Sequence, residues 1–149
     1  MKKLFITLVA LIALFMTAPA AHAADWFTVM SSGGETISIN TDISTNDQGV
    51  SYLVWARNTF DVPESRAAYT YERGYDKTVA YKLTLYKFTK DWKNFNIVQV
   101  SVYGEDGSLI DQYANPDMAS TESVVPVGSP IQTVAENAKV IYMDQNNVD

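Results

Sequence analysis

Two clusters in the chain carry side chains suited to recognition. Lys90, Trp92 and Lys93 fall in one short turn sequence, Lys90-Asp91-Trp92-Lys93-Asn94, with Lys87 just before it. Cations around an exposed indole suit an acidic protein loop, a sulfated glycan or an anionic surface, through Coulomb attraction and stacking. The same residues also suit a solvated turn whose lysines keep a sticky sheet edge soluble. The second cluster is Arg66, Tyr69, Tyr71, Arg73 and Tyr75, within Asp61 to Lys77, the longest stretch without a clear period. Long ordered loops in small domains are often functional, and tyrosine with arginine is the usual composition of protein-binding anchors. The alternative is a loop or short helix that uses its tyrosines to cover the sheet edge. Arg57 to Lys93 holds eight Lys or Arg against five acids, whereas the remainder of the chain is acidic.

Other chemistries lack their residues. The chain has no cysteine, and its one histidine is His22. Disulfides, a thiolate nucleophile, a Cys/His zinc site and a Ser-His-Asp triad are therefore excluded. The remaining acids and bases are carboxylates, lysines and tyrosines. A glycosidase pair needs carboxylates about 5 to 9 Å apart in a cleft, whereas Glu105 and Asp106 are neighbours in a turn sequence. Gly33-Gly34 lacks the helix and lysine that follow a phosphate loop. Asp42 to Gly49 approaches a calcium loop, but its sixth position is Asp47 and its twelfth is Leu53, so a turn is expected. No catalytic residue, metal or cofactor is expected. The formal charge is −6, and loss of residues 1–23, with Lys2 and Lys3, makes it −8. Such a balance argues against nucleic acid as a partner, because that binding runs on phosphate neutralisation.

The first 23 residues have the order of a secretory signal. Lys2-Lys3 precedes an apolar run from Leu4 to Met16, and Ala21-His22-Ala23 forms a small-residue cleavage site. Thirteen residues of helix span only about 20 Å, short of a roughly 30 Å hydrocarbon core. Export to the periplasm or the medium is expected, with no membrane insertion after the signal is removed. Residues 24–149 then form a single domain.

Strand-forming residues dominate that domain, and turn sequences divide it at Ser32-Gly33-Gly34, Asn46-Asp47-Gln48-Gly49 and Glu105-Asp106-Gly107. Trp26 to Ser31 and Glu35 to Asn40 read as a hairpin, and Val50 to Phe60 as a central strand with apolar groups on both faces. Thr78 to Thr89 and Phe95 to Tyr103 read as the longest pair, with Ser108 to Ala114 returning beside the second. On that pair Val79, Tyr81, Leu83 and Leu85 are expected to share an apolar side with Val98, Val100 and Val102. Lys82, Thr84, Tyr86 and Phe88 form an amphipathic second face, which can serve as a second packing surface. Near the end, Ser129-Pro130 supplies an N-cap with proline in the first turn. Ile131, Val134, Ala135, Ala138, Ile141 and Tyr142 then recur at helical spacing. The expected fold class is α+β: an antiparallel sheet of about six strands with one C-terminal helix packed on a face.

The order of several segments resembles the bacterial surface-adhesin protein E-like domain. They are Trp26, Asn40-Thr41-Asp42-Ile43-Ser44, Val54-Trp55-Ala56-Arg57, Tyr103 to Ile110, and Val125-Pro126-Val127-Gly128-Ser129-Pro130. Many members carry cysteines that this chain lacks. The resemblance implies a small extracytoplasmic sheet-plus-helix domain and, from the family's namesake activity, binding to host matrix or serum glycoproteins. The expected function is a secreted or periplasmic non-catalytic module that recognises an extracellular or envelope protein or an anionic glycan. The alternatives are an envelope-interaction domain, working as a homodimer without a host ligand, and a carboxylate-dependent hydrolase.

Overall fold

Left-handed backbone at two glycines starts the sheet. Gly33 (φ 61°) and Gly34 (φ 79°) close strand β1 (Trp26–Ser32) onto β2 (Glu35–Asn40), as a two-residue hairpin of this hand requires. The computed structural model describes residues 25–46, 49–114 and 122–148. The segment 1–23, read as an export signal, lies outside the described residues, as does 115–121 of the connection before the last helix.

After β2 the chain runs through β3 (Ser44–Thr45), β4 (Ser51–Phe60), helix α1 (Pro63–Arg73), β5 (Val79–Thr89) and β6 (Asn94–Gly104). It continues with β7 (Leu109–Ala114), β8 (Ser123–Val124) and helix α2 (Pro130–Asn146). The sheet order is β1-β2-β4-β5-β6-β7, with the two-residue strands β3 on β4 and β8 on β6. Every pairing is antiparallel. The fold class is α+β, as the sequence implied, and the main path is the expected meander.

The register of β5 on β6 differs from expectation. Phe88 pairs with Phe95 and Tyr86 with Ile97, but Leu85 then pairs with Gln99, so Val98 is an extra residue in the ladder. An unbroken ladder would have set Leu83 against Val100, as the alternation suggested. The bulge shifts the remainder by one position, and a one-residue slip exchanges the faces. Leu83 therefore pairs with Ser101, whereas Val100 and Val102 pair with Thr84 and Lys82. The amphipathic face of β5 is thus the face that carries the core.

Both helices cover that face. Ser129 Oγ accepts a hydrogen bond from the Gln132 N–H, Pro130 sits in the first turn, and Asn147 closes α2 in the left-handed region. Val134, Ala135 and Ala138 of α2 are buried with Ile39, Val54, Ala56, Phe88 and Phe95 of the sheet. Beside them, Phe60, Val79, Val100 and Val102 form a second cluster under Tyr69 and Tyr75.

The second helix, α1, is the short helix left open as an alternative for Asp61 to Lys77, and it stands beside the one expected at the C-terminus. Pro63 in the first turn, Glu64 near the N-terminus, Arg73 in the last turn and Gly74 at φ 68° are all favourable helix-end signals. No residue of α1 is fully buried, so it lacks the apolar stripe by which a packed helix is recognised.

The glycine turn also holds α1 in place. The Gly34 carbonyl accepts from the Asp61 N–H at 2.8 Å and from Ser65 Oγ at 2.9 Å. A Cβ at Gly34 would lie 2.6 Å from Val62 Cγ2, whereas one at Gly33 would meet nothing within 4 Å. Gly33→Ala is expected to cost about 1 kcal/mol for its left-handed backbone. Gly34→Ala adds a steric term and should cost roughly 2 to 4 kcal/mol. Urea denaturation of the two variants checks this, and equal midpoints would reject the close approach to Val62.

Candidate binding surfaces

The β5–β6 turn is built on Thr89 and Asp91. Thr89 Oγ1 donates to Asp91 Oδ1 at 2.7 Å and accepts from the Asn94 N–H at 3.1 Å. The Lys93 N–H reaches the same Asp91 oxygen at 3.1 Å. These bonds, the threonine hydroxyl first, hold the Asp91 carboxyl below its usual range. Lys90 and Lys93 are exposed, while Lys87 is half-buried in the ladder opposite Leu53 and Asn96.

Trp92 departs from the expected exposed indole. At φ 62° it turns its ring back over the sheet. The indole stacks on Tyr52 with centroids 4.3 Å apart and planes 11° apart, and lies 5.5 Å from Phe88. Tyr52 in turn meets Tyr142 of α2 edge-on at 4.7 Å. Trp92 therefore closes one end of the core, because an apolar ring beside Phe88 gains more from burial than from solvent.

Around that ring lies an open groove of about 330 Å³. Trp92, Lys93, Val124 and Val125 form one side, and Gln132, Ala135, Glu136 and Lys139 of α2 form the other. The Val125 N–H donates to the Lys93 carbonyl at 2.8 Å, joining the turn to the segment that leads into α2. Glu136 Oε1 accepts from Gln132 Nε2 at 2.8 Å. Lys93 and Lys139 have no ion pair among the described residues. Lys139 is the only cation in the chain after Lys93. Its place in the groove escaped the sequence reading, although Gln132, Glu136 and Lys139 follow helical spacing beside the apolar stripe.

The second predicted cluster is largely occupied by the fold itself. Arg66 Nε donates to the Phe60 carbonyl at 2.8 Å, and its Nη1 pairs with Glu105 Oε1 at 2.7 Å. Tyr69 stacks on Phe60 at 4.6 Å and lies beneath Arg73, 5.6 Å away, and Lys82, 5.2 Å away. Tyr75 donates to Asp111 Oδ2 at 2.8 Å, and burial together with that carboxylate pushes its phenol well above the usual range. Tyr71, 90% exposed, and Arg73 remain available on the outer side of α1. Glu105 and Asp106 likewise serve the β6–β7 turn. Asp106 accepts from both the N–H and the hydroxyl of Ser108, which holds its carboxyl below the usual range.

The two clusters do not form one surface. α1 leads into Val79 at the start of β5, and the basic turn follows Thr89 at its end. A strand of that length separates them by about 33 Å at roughly 3.3 Å per residue.

A smaller cleft of about 230 Å³ lies between α2 and the sheet, with Glu35, Asn58, Lys82 and Thr84 among its lining. Among the described residues no helix is long and apolar enough to cross a membrane. No group of three or more His, Cys, Asp or Glu among them could hold a metal ion.

These residues define an α+β domain, an antiparallel meander with both helices on one face and grooves flanking α2. In comparisons with protein families, curated proteins and solved structures, nothing matches the chain.

Proposed function

We propose that the domain is an exported, non-catalytic binding module that recognises an anionic partner, an extracellular or envelope protein or a glycan, through the groove between the β5–β6 turn and α2. One observation carries this reading: Lys139, the only cation beyond Lys93, lines the same groove as Lys93, with the Trp92 ring in the wall beside Lys93. Convergence of cations from distant parts of an acidic chain focuses a positive field where the remainder of the surface repels anions. The export motif and the resemblance to surface-adhesin protein E-like domains support the same reading. Carboxylates committed to turn geometry at Asp91 and Asp106 support its non-catalytic character.

Heparin and a polyglutamate peptide are suitable probes, one for each class of anionic partner. At low salt at least one should bind, and affinity should fall steeply as salt screens exposed charges. Lys93→Glu with Lys139→Glu should weaken binding at least about tenfold, a change of about 1.4 kcal/mol. Both side chains are exposed, so the melting temperature should hold. Lys90→Glu should have a smaller effect, because Lys90 does not line the groove. Binding that survives the double reversal would reject the groove as the site.

A further inference from the structure

On the other side of α2, the smaller cleft poses an unanswered polar question. Ile37, Asn58, Lys82 and Val102 form one row across β2, β4, β5 and β6. They lie on the face that both helices cover, where Val102 is fully buried. A purely structural row would continue the isoleucine and the valine. Instead it places an amide and an ammonium under the helices.

Their hydrogen bonds do not close. Asn58 Nδ2 donates to Glu35 Oε2 at 3.3 Å, which fixes the amide so that Oδ1 points the other way. That oxygen is buried and has no partner. Lys82 Nζ rests 5.2 Å from the Tyr69 ring centre and makes no hydrogen bond or ion pair with a described residue. Burial, followed by the nearby Arg73 charge, pushes the ammonium below its ordinary range. A buried polar atom left unmet in a native structure, as Asn58 Oδ1 is, calls for an explanation.

The lining indicates what would meet them. An ammonium donor, an amide acceptor and the Glu35 carboxylate stand together with nearly balanced charge, which favours a neutral ligand over an ion. Groups that donate and accept at one place are hydroxyls. Tyr86, Ile37 and Ile131 supply an apolar wall for C–H groups. The volume, about 230 Å³, is smaller than that of drug-sized pockets, which start at about 300 Å³. We propose that this cleft binds a single neutral sugar residue, with its hydroxyls bridging Lys82 Nζ and Asn58 Oδ1 and its C–H face against Tyr86, Ile37 and Ile131. The site is independent of the basic groove, which takes anions on the opposite flank of α2.

The test is titration of the full chain with the methyl glycosides of glucose, galactose, mannose and N-acetylglucosamine, followed by calorimetry and ligand-observed NMR. Hexanoate serves as an anionic control. At least one glycoside should bind saturably, in the millimolar range or tighter. Lys82→Met and Asn58→Leu should each weaken it at least tenfold while the melting temperature holds or rises, since Asn58 Oδ1 is unmet, Lys82 Nζ makes no hydrogen bond, and the one bond lost is the long 3.3 Å contact of Asn58 with Glu35. Lys139→Glu should leave sugar binding unchanged, which separates this site from the basic groove. The proposal is overturned if no glycoside binds, if binding survives both substitutions, or if hexanoate binds more tightly than every glycoside. It is also overturned if both substitutions lower the melting temperature, because the polar pair would then be part of the scaffold.

Discussion

Ala138→Asp should lower the stability of the domain by at least about 3 to 5 kcal/mol, the usual cost of an unpaired buried charge. Ala138 is 0% exposed and belongs, with Val134 and Ala135, to the cluster that α2 forms with the sheet. The side chains packed there are apolar, so the new carboxylate would be either ionised in a medium that solvates it poorly or protonated, with its pKa driven up. Most helical stability in proteins comes from packing an amphipathic face, so α2, 17 residues long, holds its shape through docking. Against a total of about 5 to 15 kcal/mol, the loss would leave the domain near its unfolding threshold. Urea denaturation followed by near-ultraviolet circular dichroism reads the effect. Val140→Asp is the control, because Val140 is 67% exposed on the outer side of the same helix. Its unfolding free energy should change by no more than about 0.5 kcal/mol. Equal midpoints for the two variants would mean that α2 does not dock through Ala138.

Ala138 was legible because helix burial repeats over three and four residues, and the chain writes that period plainly from Ile131 to Tyr142. Gly33-Gly34 and Ser129-Pro130 were legible for a related reason: each is a local solution to a local backbone demand. The features that local sequence does not show share the opposite character. Val98 has nothing in its own neighbourhood that marks it as a bulge, yet it brings Val100 and Val102 of β6 onto the same face as Phe95 and Ile97, over the core. α1 has sound ends but no buried residue, so its helical state depends on Gly34 and Phe60 from elsewhere in the chain. Arg66 and Tyr75 have the composition of recognition residues, but the pairing of β5, β6 and β7 brings them to Glu105 and Asp111. Lys82, Thr84, Tyr86 and Phe88 read as a face able to pack, which it does, but nothing local showed that the Lys82 ammonium lies beside Tyr69 of α1. Side-chain type was visible throughout. Partners distant in sequence were not.

Trp92 tests that distinction most directly. As a ligand-contact residue it could be removed without disturbing the fold. As the closing ring of the core, its loss should cost roughly 2 to 4 kcal/mol, toward the low end of a large-to-small core substitution because the indole is only partly buried. Trp92→Ala removes the stack on Tyr52 and the contact with Phe88. A double-mutant cycle with Tyr52→Ala should return a coupling of about 0.5 to 1.5 kcal/mol for the stacked pair. The backbone adds a second, independent readout. Alanine would retain the left-handed conformation seen at φ 62°, whereas glycine adopts it without strain. Trp92→Gly should therefore be no less stable than Trp92→Ala, although it has the smaller side chain. Both should also weaken heparin or polyglutamate binding, since the groove loses the wall that sets Lys93 opposite Lys139. An unchanged denaturation midpoint for Trp92→Ala, combined with lost binding, would return the indole to a purely recognitional role.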